Sequence, residues 1–131
     1  MFRGEKVVGI VPARGGSKRL PGKNIAVVAG KPLLGWTLDA SLSSSYIDKV
    51  VLTTDDSEIA RVGRTFKVDE IQDRPKSLAE DKTSIYQVVL HVLDTLNKRK
   101  EHYGFRSLWE DLENTDIFFS FLVFWFFVCV F

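Results

Sequence analysis

The sequence predicts an α/β sandwich with a mostly parallel sheet, on three observations. Two short runs of apolar, β-branched residues, Val7–Pro12 and Lys49–Thr54, each end in polar or glycine-rich loop chemistry. Segments of helical periodicity follow each of them. The resulting order is strand, loop, helix, strand, helix, weak strand, loop, helix, which suits right-handed parallel crossovers and contains no internal repeat.

The first strand passes at Pro12-Ala13 into a loop holding Gly15, Gly16 and Gly22 with Arg14, Lys18, Arg19 and Lys23 and no acidic residue. Glycine lets backbone N–H groups approach an anion, and the cations supply charge for a polyphosphate. A solvated basic loop is the competing reading, and composition alone leaves the two open. Ile25–Val28 is expected to be briefly extended, and Gly30-Lys31 to turn the chain before Pro32. Pro32 then suits the first turn of a helix reaching Leu42, with Leu34, Leu38 and Leu42 spaced by four. Trp36 stands beside that stripe and is read as core or rim packing.

The second strand closes at Asp55-Asp56-Ser57. Asp56 and Ser57 are read as caps for a helix Glu58–Phe66, whereas Asp55 is left open between capping and a role at the strand end. Val68–Gln72 is a weaker third strand, interrupted by Asp69 and Glu70. The turn Asp73-Arg74-Pro75 and the stretch Ala79–Ser84 lead into the most regular helix. There Ile85, Val88, Val89, Val92, Leu93 and Leu96 form one stripe, with Lys98-Arg99-Lys100 at the end where cations suit the helix dipole. His91 lies off the stripe and is read as a surface residue rather than a metal ligand.

Composition excludes several classes of function. With 18 Lys plus Arg against 17 Asp plus Glu, the net charge of +1 gives no global field for nucleic acid. The single cysteine, Cys129, forms no internal disulfide or multi-cysteine zinc site, which fits a cytoplasmic location. The amino terminus has no signal-peptide pattern. At 131 residues one domain is expected, divided into a binding part over 1–100, a charged connector over 101–116 and an apolar tail over 117–131.

That tail carries no charge and holds seven of the ten phenylalanines. As a helix its 15 residues would rise about 22 Å against roughly 30 Å of bilayer hydrocarbon, so a membrane anchor is second choice. As a strand it would carry aromatics on both faces. The favoured reading is an aberrant end, frame-shifted or truncated.

Two phosphate motifs fail. Ser17 stands where a Walker A loop needs glycine before Gly22-Lys23, and Asn24 where it needs a hydroxyl. Gly15 and Gly16 are adjacent, so the dinucleotide fingerprint is absent as well. Instead, Val11–Ile25, Ala29–Thr37 and Val51–Asp55 resemble the amino-terminal blocks of the acylneuraminate cytidylyltransferase family and its legionaminate and pseudaminate relatives. Arg74-Pro75 and Asp81-Lys82-Thr83-Ser84 resemble its next two blocks, in order and at compatible spacing over about Lys6–Leu96.

The resemblance implies a Rossmann-like three-layer nucleotidyltransferase sheet, truncated here, that joins CTP to a nine-carbon sugar acid with Mg²⁺ and releases pyrophosphate. Carried over by motif, Arg14 and Lys23 are the catalytic pair that holds the triphosphate. Gly15, Gly16, Ser17, Lys18, Asn24, Arg74 and Ser84 are nucleotide-binding, Ser84 where cytidine is read. For Arg74 a surface ion pair with Asp73 is an equal alternative. Full-length relatives are expected to be homodimers. After Leu96 the resemblance stops: the Gln-Pro-Thr-Ser-Pro-type block and the paired metal-binding aspartates have no counterpart, so the metal ligands are unknown. The alternatives to this enzyme are a nucleotidyltransferase for another sugar and a non-catalytic nucleotide-binding or membrane-tethered fragment.

Overall fold

A computed structural model of the chain describes residues 1–2, 4, 6–16 and 20–101. Ser17, Lys18 and Arg19 of the glycine loop, most of the predicted connector, and the whole apolar tail with Cys129 lie outside the described residues. Strand β1 is Val8–Pro12, β2 Val27–Val28 and β3 Lys31–Pro32. They are followed by helix α1 Leu33–Leu42, β4 Lys49–Thr54, α2 Ser57–Thr65, β5 Glu70–Asp73 and α3 Ile85–Lys98.

Three strands make the main sheet in the order β1-β4-β5, both pairings parallel. Val8 stands opposite Lys49 and Pro12 opposite Thr53, while Val51 stands opposite Glu70 and Thr54 opposite Asp73. β4 is central and therefore needs apolar side chains on both faces, which explains its unbroken Val50-Val51-Leu52 run. Val50 and Leu52 join Val11, Leu34, Leu38, Ile59 and Val62 in a core beneath α1 and α2. Val51 joins Val92 and Leu96 of α3 on the other face, with Val8 and Ile10 packed beside them. The result is the expected three-layer sandwich of helix, parallel sheet and helix.

Local chemistry sets the boundaries. The Asp56 carboxylate caps α2 by accepting from the N–H groups of Glu58 and Ile59, as the sequence predicts. Ser57 is the first residue of the helix rather than its cap. α3 opens on a capping box in which Ser84 accepts from the Gln87 N–H and the Gln87 side chain accepts from the Ser84 N–H.

Several expectations shift. Ile25 lies in a single 3-10 turn, Lys23–Ile25, so only Val27–Val28 of the expected extended piece is strand. It pairs with β3 across an Ala29-Gly30 turn in which both residues have positive φ, the geometry of a tight hairpin. Pro32 belongs to β3 and only flanks α1, and Leu42 is exposed, because the amphipathic face of α1 ends at Ser41. Trp36 sits at the rim, its Nε1–H donating to the Val28 carbonyl and the Lys31 ammonium lying 4.3 Å from the ring centroid. Ile85 of the α3 stripe is exposed, since it precedes the part of the helix that reaches the sheet. His91 is half-buried rather than on the surface, with Nδ1 enclosed and without a hydrogen-bond partner among the described residues. Glu101, assigned from sequence to the connector, is tied back to Lys49 at 2.7 Å.

Candidate functional site

A parallel sheet brings the carboxyl ends of its strands, and the loops that leave them, to one edge. Here those loops begin at Ala13, Asp55 and Arg74. The edge is stitched by two backbone bonds that continue the ladder: Ala13 N–H donates to the Thr53 carbonyl at 3.0 Å, and Arg74 N–H to the Thr54 carbonyl at 2.8 Å. Arg14, Asp55 and Arg74 thereby come together from positions up to sixty residues apart in the chain.

Arg74 is the most unusual of the three. It is 7% exposed, and its Nε has no hydrogen-bond partner among the described residues. Burial pulls its guanidinium below the usual arginine range, opposed by the Asp55 charge and reinforced by Arg14. The alternative of a surface ion pair with Asp73 is corrected: parallel pairing of β4 and β5 turns Arg74 inward and leaves Asp73 exposed. A guanidinium enclosed without enough acceptors is a costly arrangement, and such groups are commonly kept to meet an anionic ligand.

Asp55, which the sequence leaves open, does not cap α2. Its Oδ1 accepts the Gly15 N–H at 3.0 Å, so it pins the glycine loop from β4 while its charge faces Arg74. Gly15 is needed as glycine there: a Cβ would stand 2.8 Å from the Asp56 Cβ, inside van der Waals contact. In this state the Gly15 N–H is committed to Asp55, so Gly16 is the glycine that borders open space.

Arg14 leaves the same loop and pairs with Asp81, its Nη1 lying 2.5 Å from Oδ1. The pair stands at an open cleft of about 510 Å³ lined by Arg14, Gly16, Ala79, Glu80, Asp81 and Lys82. Asn24 donates its side-chain N–H to the Arg14 carbonyl at 3.1 Å, which docks the Lys23–Ile25 turn against the loop. Gly22 enters that turn at φ +68, a left-handed position that favours glycine.

Of the residues predicted from sequence, Arg14, Gly15, Gly16, Asn24 and Arg74 gather at the strand ends. Lys23 is half-buried in the adjoining turn, and Ser84, exposed, is engaged in the α3 capping box. Of all these residues only Arg14 and Gly16 line the cleft. Ser17 and Lys18 lie outside the described residues. Asp81 was visible only as part of a sequence block, with no role attached, because its partner is 67 positions away. Among the described residues no cluster of three or more His, Cys, Asp or Glu is placed to hold a metal; Mg²⁺ that arrives with a nucleotide needs only one or two carboxylates beside the phosphates.

A parallel three-layer unit with a glycine-containing cationic loop at its strand ends is the architecture of Rossmann-like nucleotidyltransferases. A family model described as cytidylyltransferase matches residues 8–103, and the chain belongs to that family. It is 39% identical over 88 residues to the N-acylneuraminate cytidylyltransferase of Escherichia coli O18:K1:H7, covering 67% of this chain and 21% of that protein. To the pseudaminic acid cytidylyltransferase of Campylobacter jejuni subsp. jejuni it is 39% identical over 94 residues, covering 72% and 40%. Among solved structures it is similar to CMP:2-keto-3-deoxy-manno-octonic acid synthetase complexed with CTP, with a TM-score of 0.59 and 26% identity over 70% of this chain and 35% of that one. The chain thus spans well under half the length of these relatives.

Proposed function

We propose that this chain forms the CTP-binding part of a cytidylyltransferase that activates a sugar acid. In that reaction a sugar hydroxyl oxygen bonds to the α-phosphorus of CTP, the bond from that phosphorus to the bridging oxygen breaks, and pyrophosphate leaves. The observation that carries the reading is the convergence of Arg14, the Gly15-Gly16 backbone and the under-partnered Arg74 at the carboxyl ends of β1, β4 and β5. Arg14, the Gly16 backbone and Arg74 would hold the triphosphate and meet charge as it builds on the leaving oxygens, with Gly15, pinned by Asp55, setting the course of the loop. Lys23, with Ser17, Lys18 and Asn24, would close the loop around the phosphates, and Ser84 would border the base.

Nine-carbon acids are the preferred acceptors, supported by the names of the acylneuraminate and pseudaminic acid relatives. Mg²⁺ bound with CTP supplies charge neutralisation in this chemistry. Homodimerisation and a cytoplasmic location, where CTP is made, belong to the same reading. Among the described residues no helix is long and apolar enough to cross a membrane.

CTP with Mg²⁺ is expected to raise the melting temperature more than ATP or GTP does. A ligand at 100 times its Kd adds about 2.7 kcal/mol. Equal shifts with all three nucleotides would contradict cytidine recognition. The alternative reading is a nucleotide-binding unit without turnover. It predicts the same shift with no pyrophosphate released from CTP and sialic, legionaminic or pseudaminic acid.

A further inference from the structure

The cation that the proposed site would present first to a phosphate is already holding a carboxylate. Arg14 and Asp81 meet at 2.5 Å, each side chain about one third exposed, in the cleft bordered by Gly16 and by Ala79–Lys82. Asp81 is held there from both sides. Upstream, the Lys76–Leu78 turn follows Arg74, whose N–H is fixed to Thr54. Downstream, Thr83 N–H donates to the Glu80 carbonyl at 3.1 Å and Ser84 caps α3. The segment is therefore a short strap that carries a carboxylate to a set position over the loop. Carboxylate and phosphate oxygens compete for the same guanidinium edge.

We propose that Asp81 is a resident anion that occupies Arg14 when no triphosphate is bound and is displaced by it, so that the 79–82 strap acts as a latch on the site. The proposal rests on the reading of Arg14 as a triphosphate ligand. A partly exposed pair of this kind contributes little, so the latch yields to a multiply charged ligand and re-forms as pyrophosphate departs. It raises the dissociation rate of whatever anion Arg14 holds and keeps the guanidinium oriented between ligands.

The test is equilibrium binding of CTP, ATP and inorganic tripolyphosphate to the full chain and to Asp81→Asn, Asp81→Glu, Arg14→Ala and the Arg14→Ala/Asp81→Asn double variant. Asp81→Asn is expected to bind tripolyphosphate and CTP about three- to fivefold more tightly, the range a weak exposed ion pair allows. Asp81→Glu should stay near the original chain, and the gain should vanish in the Arg14→Ala background. Unchanged or weaker binding by Asp81→Asn would overturn the latch, as would a gain that persists without Arg14, which signals only long-range repulsion. If Asp81→Asn tightens CTP and ATP alike from equal starting affinities, the latch stands and the cytidine reading falls. If the chain prefers CTP but Asp81→Asn gains nothing, the reverse holds. Failure of every variant to bind any of the three ligands would overturn both.

Discussion

The two ends of the same parallel strands carry two clusters of charge, and they are built differently. At the amino ends, Lys49 pairs with Glu70 and Glu101, each at 2.7 Å, and Arg99 pairs with Glu70 at 2.7 Å. Each of those four charges has an opposite neighbour, and together they tie β4, β5 and the end of α3. At the carboxyl ends Arg74 is enclosed with an Nε that has no partner among the described residues, and Arg14 meets a carboxylate on a strap. The first cluster is closed and holds the fold. The second has surplus donor capacity, and its Arg14 lines an open cleft, which is what a ligand site requires.

Substitutions should separate the two ends. Arg74→Ala is expected to weaken CTP binding about 10- to 100-fold, the equivalent of losing a charge-assisted hydrogen bond. The change should appear in a binding isotherm. Glu70→Ala should act the other way, leaving CTP binding in place while lowering unfolding free energy by about 1–2 kcal/mol in a denaturant titration. Lys49 keeps Glu101 in that variant, so the loss is smaller than for a fully buried pair. If Glu70→Ala impaired binding as much as Arg74→Ala, the division between the ends would fail.

The smallest expected effect is on the pH dependence of stability. Burial works to raise the Glu70 carboxyl, but hydrogen bonds from Lys49 and Gln72 prevail and hold it below its ordinary value of 4.5. Its contribution is therefore present above pH 4.5 and lost as pH falls through the depressed value. Burial works to lower the Lys49 ammonium, but Glu101 and Glu70 hold it above its ordinary value of 10.5. That contribution is present below pH 10.5 and lost as pH rises through the elevated value. A plateau between these limits is expected, with a shallower acid limb for Glu70→Gln in denaturant titrations. An unchanged acid limb would remove Glu70 from the account.

Most of the fold was legible because it is encoded locally. The β-branched run of Lys49–Thr54, the Asp56 cap and the 3.6-residue stripe of α3 each announce themselves within one window of sequence. β5 was placed one to two residues early because Val68 continues an apolar pattern that the parallel register with β4 does not use. The site was legible only in part. The cationic glycine loop is contiguous, so Arg14, Gly15 and Gly16 stood out. The burial of Arg74, the Gly15–Asp55 bond and the Arg14–Asp81 pair depend on contacts 40 or more positions apart, created by sheet order. Local reading naturally set Arg74 against its neighbour Asp73. The closed cluster of Lys49, Glu70, Arg99 and Glu101 left no trace in sequence because its pairs, 21 to 52 positions apart, are likewise brought together by the fold.

The central claim is that the carboxyl ends of the strands, and not the amino ends, receive the nucleotide. A titration with CTP followed by amide chemical shifts tests it directly. The largest changes are expected at Gly15, Gly16, Asp55, Arg74 and Asp81, with Lys49, Glu70 and Arg99 unmoved. Changes centred on Lys49, Glu70 and Arg99, or none at the strand-end loops at saturating CTP, would contradict it.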